Sequence, residues 1–247
     1  MSSYPNAPLN YASSWETAEA GPAVARFFNA VYAWMCAGLA LTAVSAYVVA
    51  QWVQGIIASG NLAALSNARV VFIVLIIAEF VLVGVISAAV RRINAAVATG
   101  LFLLYAAING VTLAGLFLVY AKASLASAFV VSAGTFGAMS VFGMVTKRDL
   151  TAAGQLLYMA LIGLVIASVV SIFWHSTMLQ VIINYVGVFV FVGLTAYDTQ
   201  KLKEIAYQTR GDPAMASRLA VNGSLSLYLD FINLFLFILR IMGDRRN

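Results

Sequence analysis

Charge is what this chain of 247 residues has least of: Asp, Glu, Lys and Arg together make up 9% of it. A typical soluble protein carries about 25%. Hydrophobic residues fill 63% of the chain and the mean hydropathy is +0.95. So few charges cannot cover that much apolar surface in water, so the solvent must be lipid. Soluble enzymes, nucleic-acid binders and disulfide scaffolds are thereby excluded. Cysteine and histidine are as scarce, with one of each. The lone Cys36 can form neither an internal disulfide nor a thiolate metal site, and within an apolar run it reads as a small buried packing residue. His175 falls in a short loop with no serine marked out to face it, which leaves a Ser–His hydrolase without support. No lysine lies inside an apolar run, so a retinal Schiff base is excluded as well.

Residues 1–25 are polar and lack a basic start followed by a short apolar region and a cleavage site, so no signal peptide is expected. They read as a flexible cytoplasmic tail, 26–243 as one membrane domain, and 244–247 as a short basic tail. The net charge of +5 fits basic residues held at the cytoplasmic face against anionic lipid rather than a nucleic-acid partner.

A hydrocarbon core of about 30 Å takes about 20 residues of helix to cross. Apolar runs of that size extend from Phe27 to Val53, Val70 to Val90, Ile93 to Tyr120, Leu125 to Val145, Ala152 to Trp174, Met178 to Tyr197 and Leu219 to Ile241. They are too long and too uniformly apolar for barrel strands, which alternate in polarity over about 10 residues. The fold class is therefore an all-α integral membrane protein with seven predicted spans. With the N-terminus inside, the cytoplasmic segments collect Arg26, Arg91, Arg92, Lys147, Arg148, Lys201, Lys203, Arg210 and Arg218. The opposite side keeps only Arg69, Lys122, Arg240, Arg245 and Arg246, so the distribution of basic residues favours that orientation. The seventh run either crosses fully or re-enters and returns.

Three carboxylates fall inside these runs: Glu79, Asp198 and Asp230. A charge in lipid costs several kcal/mol, so each needs a partner or a task. At about 100° per residue, Asn222, Ser226, Asp230, Asn233 and Arg240 share one stripe of the seventh helix, and Asn184, Gly187, Thr195 and Asp198 share a face of the sixth. A polar stripe must face other helices or water, which puts the seventh helix at the centre of a bundle with the sixth against it. Where those faces meet, Asp198 and Asp230 form a carboxylate pair. Two close carboxylates cannot both ionise cheaply. The pair suits either a proton-sensing gate or a hard cation such as calcium, which takes oxygen ligands. Arg91 and Arg92 close the second span on the same membrane face, within reach as a competing counter-charge. Arg91 lies about 120° around the helix from Glu79 and Arg92 about 220°, which favours Arg91.

The run Gly193-Leu-Thr-Ala-Tyr-Asp-Thr-Gln-Lys201, then Leu227-Tyr-Leu-Asp-Phe-Ile-Asn-Leu-Phe235 and Arg240, resembles the transmembrane Bax inhibitor motif family. Val145-Thr-Lys-Arg-Asp-Leu150 with Gly154, and Gly110-Val-Thr-Leu-Ala-Gly115, are similar to it too. The likeness covers the chain from about Arg26 to Gly243 and is nearest to bacterial members. It implies seven helices, six of them around the C-terminal one, in a bacterial inner membrane. It also implies a pH-sensitive calcium leak channel rather than an enzyme, with Asp198 and Asp230 as the proton sensor and calcium and protons as the only ligands. By the same resemblance, Arg91 or Arg92 latches the pair in the closed state and Glu79 serves ion passage; Asn233, on the polar stripe of the seventh helix, is a further candidate for the ion pathway. A different role also known in the family is modulation of a membrane-bound protease, which would place the working residues in the tail and loops. A proton-coupled transporter finds no inverted repeat or broken helix pair to support it.

Overall fold

The computed structural model describes residues 11–61, 63, 66–89, 92–174 and 176–244. Seven helices follow one another: α1 (Tyr11–Ala58), α2 (Ala68–Ala89), α3 (Ala95–Val119), α4 (Lys122–Val145), α5 (Thr151–Phe173), α6 (Thr177–Gln208) and α7 (Pro213–Met242). All seven are long and apolar enough to span a membrane. Local signals set several ends. Asn94 Oδ1 accepts from the amide of Val97 at 2.8 Å to start α3. Asp212 Oδ1 accepts from Met215 at 2.9 Å, just before Pro213 at the first helical position of α7. Both satisfy amides that the first turn would otherwise leave unpaired.

Two boundaries differ from the hydropathy pattern. α1 begins at Tyr11, so helix occupies residues 11–25, which the polarity of that stretch assigns to a tail. Its alanines and glutamates are strong helix formers whatever their exposure. Residues 1–10 lie outside the described residues, as do Arg245 and Arg246 of the C-terminal tail. α6 does not stop at Tyr197 but continues for three further turns, and Lys201 and Lys203 stand on a helix instead of in a loop. Charge ends the stretch that can face lipid, not the helix. At about 1.5 Å per residue, the 32 residues of α6 and the 30 of α7 both outreach the hydrocarbon. α7 is unbroken from end to end, so it does not re-enter and return.

Burial identifies the centre. Of the most apolar stretch of each helix, 56% is buried in α7 and 6% in α2. α1, α3, α4 and α6 pack directly on α7, while α2 leans on α3 and α5 on α6. The encirclement therefore has two tiers. Tyr228 sits edge-on to Phe102 at 5.6 Å and to Tyr105 at 5.8 Å, Phe231 to Phe129 and Phe136 at 5.5 and 5.6 Å, and Phe237 stacks on Phe191 at 5.9 Å. Around this centre the outer faces of α1, α2, α4, α5 and α6 carry exposed Val, Ile and Phe side chains, a surface suited only to lipid. Cys36 belongs to that surface: it is exposed and not buried, since a thiol is apolar enough to face hydrocarbon.

Lipid tails are as apolar as leucine, so helices associate through close packing rather than the hydrophobic effect. Gly143 of α4 shows how close. A Cβ there would run into the carbonyl oxygen of Ala196 and stand 3.0 Å from Cβ of Thr199 on α6. Gly143→Val should cost about 1–3 kcal/mol of stability by overpacking. Gly137→Ala, on the same helix with open space around it, should leave the thermal midpoint in detergent unchanged. Equal midpoints for the two variants would remove the close approach as a stabilising feature.

Candidate functional site

The α6–α7 interface is built as the polar stripes require. Gly187 of α6 lies against the ring of Phe237 of α7, and two to three turns further along the same interface Asp198 and Asp230 are buried, 6% and 5% exposed. The carboxylates are close enough that the charge of Asp198 acts on Asp230. Tyr158 of α5 donates its hydroxyl to Asp198 Oδ1 at 3.1 Å, and Lys201, about one turn further along α6, is a cation whose charge reaches Asp198. Asp230 Oδ2 is buried with no hydrogen-bond partner among the described residues. One oxygen of the pair is thus held and another left open, an unusual state for a buried polar atom.

Each residue of the segment around Asp198 faces a different neighbour. Tyr197 lies over Gly154 of α5, its ring edge-on to Tyr158 at 5.9 Å. Thr199 donates to the carbonyl of Thr195 at 2.7 Å on the side that meets Gly143 of α4. Gln200 accepts from the amide of Leu150 at 2.8 Å and donates to the carbonyl of Arg148 at 2.9 Å. Lys203 donates to the carbonyl of Met144 at 2.8 Å, closing the end of α4. These bonds fix the rotation of α6, and with it the direction in which Asp198 points.

Glu79 belongs to a second cluster. Its Oε1 accepts from the Thr112 hydroxyl at 2.8 Å and its Oε2 from Asn109 Nδ2 at 3.1 Å, both on α3. Asn109 Oδ1 accepts from the Tyr228 hydroxyl of α7 at 2.9 Å, and that hydroxyl lies 2.6 Å from Oγ1 of Thr42 on α1. With Thr42 donating to Tyr228, the hydrogens of the chain all point toward the carboxylate, and four helices are joined through it. The structure thus brings Asp198 and Asp230 together and keeps Glu79 in a separate cluster. Asn233 turns its amide back to the carbonyl of Leu229 at 2.8 Å. Arg92 is exposed beyond the end of α2, while Arg91 and His175 lie outside the described residues.

Tyr158, Asn109, Thr112, Thr42 and Tyr228 were not marked by hydropathy, because hydroxyls and one amide scarcely perturb an apolar run. Tyr228, two residues before Asp230 and about 200° around α7 from it, was the one legible signal. No group of three or more His, Cys, Asp or Glu gathers among the described residues. Calcium takes six to eight oxygens, so two carboxylates with one phenol do not form a resident calcium site. They fit at most a brief stop for a cation that passes.

A seven-helix bundle with its most buried helix at the centre and buried carboxylates where α6 meets that helix defines a multi-pass integral membrane protein. The family described as Inhibitor of apoptosis-promoting Bax1 matches residues 24–247, and the chain belongs to it. It is 50% identical over 218 residues to the inner membrane protein YbhL of Escherichia coli K12, covering 87% of this chain and 90% of that protein. An uncharacterized protein of Deinococcus radiodurans is 45% identical over 222 residues, 90% and 92% of the two chains. One from Borreliella burgdorferi is 42% identical over 224 residues, 90% and 93%.

The hydroxyl of Tyr228 is the joint of the second cluster. Tyr228→Phe keeps the ring packing but removes its bonds to Asn109 and Thr42, each worth about 0.5–1.5 kcal/mol. Thermal unfolding in detergent should show a loss of about 1–3 kcal/mol. An unchanged midpoint would mean that the hydroxyl chain contributes no stability.

Proposed function

We propose that the protein is a pH-sensitive cation leak pathway, with calcium as the ion carried and protons as the signal. The observation that carries this reading is the burial of Asp198 against Asp230 on the central helix, with Asp230 Oδ2 unpaired among the described residues. Two carboxylates held this close titrate as a unit, so the charge between α6 and α7 changes with pH. Loss of a proton leaves the pair negative enough to be held by an arginine counter-charge, and gain of one weakens that hold and lets the helices part. Calcium then acts as cargo that meets the pair in transit. On this reading the protein sits in a bacterial inner membrane with its N-terminus in the cytoplasm, and Arg91 at the end of α2 is the closing counter-charge.

Purified protein in calcium-loaded liposomes tests the reading. Wild-type flux should vary with pH between about 5 and 8, and Asp230→Asn should lose most of that dependence because the coupled titration is gone. A mutant with the wild-type pH profile would assign Asp230 a structural role only. Absence of calcium flux from folded wild-type protein at every pH would overturn the leak pathway and leave the protease-modulating partner as the function to test.

Glu79 gives a second, separable outcome. As an oxygen ligand along the path it should act on rate rather than on gating. Glu79→Gln should lower calcium flux while the pH midpoint stays where it was. Normal flux with a lowered unfolding midpoint would reduce Glu79 to the hydrogen-bonded link between α2 and α3.

A further inference from the structure

α1 and α4 have at most a marginal contact with one another, although both pack on α7. The gap between them is a cleft of about 350 Å³, floored by Phe231, Ile232 and Phe235 of α7. Its lining is apolar apart from Lys122, the phenol of Tyr47, and Thr42, whose hydroxyl is engaged with Tyr228. Lys122 is the first residue of α4 and is exposed. Among the described residues its ammonium has neither an ion pair nor a hydrogen bond. From Lys122 the cleft follows α4 inward to Phe129, about 10 Å at the helical rise.

We propose that this cleft binds one acyl chain of an anionic phospholipid, whose phosphate is held by Lys122. The argument turns on what could select an occupant. A tail entering the cleft leaves hydrocarbon for hydrocarbon, so apolar contact alone gives no preference over the bilayer. Selection must come from the headgroup, and among the described residues lining the cleft the charge is the Lys122 ammonium at its mouth. The first turn of α4 adds to it, because Ala121 offers no side-chain cap and leaves amides pointing outward. A net-negative headgroup complements that charge, whereas a zwitterionic one brings its own ammonium. The neighbouring acid is Asp244, whose backbone amide and carbonyl are tied to Ser124 Oγ at 3.1 Å and the amide of Ala121 at 3.3 Å. Its exposed carboxylate competes for the lysine without forming an ion pair with it.

The site is placed to matter. The floor residues Phe231 and Ile232 follow Asp230 directly in α7, and Thr42 in the wall is bonded to Tyr228. A bound tail therefore rests on the Tyr228 face of the central helix, just past its two polar clusters.

Native mass spectrometry of the full chain, reconstituted with equal phosphatidylglycerol and phosphatidylcholine and then released into mild detergent, tests the proposal. Wild type should retain one phosphatidylglycerol in several-fold excess over phosphatidylcholine. Lys122→Gln should bring the two lipids to parity. Ala126→Trp, and independently Ala43→Trp, should abolish the retained lipid, since both side chains project from exposed positions into the cleft and disturb no packed core. Arg240→Gln, at the same end of the bundle but outside the cleft, should behave as wild type. A preference for phosphatidylglycerol that survives Lys122→Gln, or a lipid that survives both tryptophans, overturns the proposal. So does a cleft occupied by a second copy of the chain, which would appear as a dimer abolished by the same tryptophans.

Discussion

A helix that carries Asn222, Ser226, Asp230 and Asn233 cannot turn that side to hydrocarbon, where no water is available to satisfy it. Most of this architecture follows from that constraint. α7 takes the centre and four helices cover it. The two most apolar helices by position, α2 and α5, are left to the outside, where they need only one helix neighbour each. The glycines are spent where helices must approach one another, as at Gly143 against α6 and Gly110 against Thr42 and Ser45 of α1.

The polar content of the core then divides in two, because residues two apart on a helix point in nearly opposite directions. Tyr228 looks toward α1 and α3 and ends, through Asn109, on Glu79. Asp230 looks toward α6 and ends on Asp198, with Tyr158 behind it. One cluster is fully engaged: every donor has an acceptor, and four helices share the result. The other keeps an oxygen without a partner among the described residues. A satisfied network rigidifies, while an incomplete one has something to gain from a proton or a cation. The contrast between the two sides of α7 is the physical basis for reading the Asp198–Asp230 side as the one that responds to a proton and the Glu79 side as one of fixed geometry.

Such a site works only if its geometry is held, and α6 supplies the hold. Tyr197, Thr199, Gln200 and Lys203 each bond or pack to a different neighbour, so α6 cannot rotate without losing contacts to α4, α5 and the 148–150 segment together. The lateral cleft lies on the far side of α7 from that anchorage, where the bundle is open to lipid. The central helix is therefore braced on one side and accessible on the other.

Composition and periodicity were enough to establish lipid as the solvent, seven helices, and a central seventh helix with Asp198 and Asp230 on facing sides of α6 and α7. All of these follow from where charge can and cannot go, and charge is visible residue by residue. The extent of α1 and α6 was not legible, since helix continues past the point where hydropathy falls. Nor were the partners of Glu79: Thr112, Asn109 and Tyr228 are ordinary residues of apolar helices until α3 and α7 are set beside α2. The open oxygen of Asp230 and the cleft under Lys122 belong to the same class. Both depend on which helices pack closely and which do not, and that is decided by the packing of the whole bundle and not by any stretch of the chain.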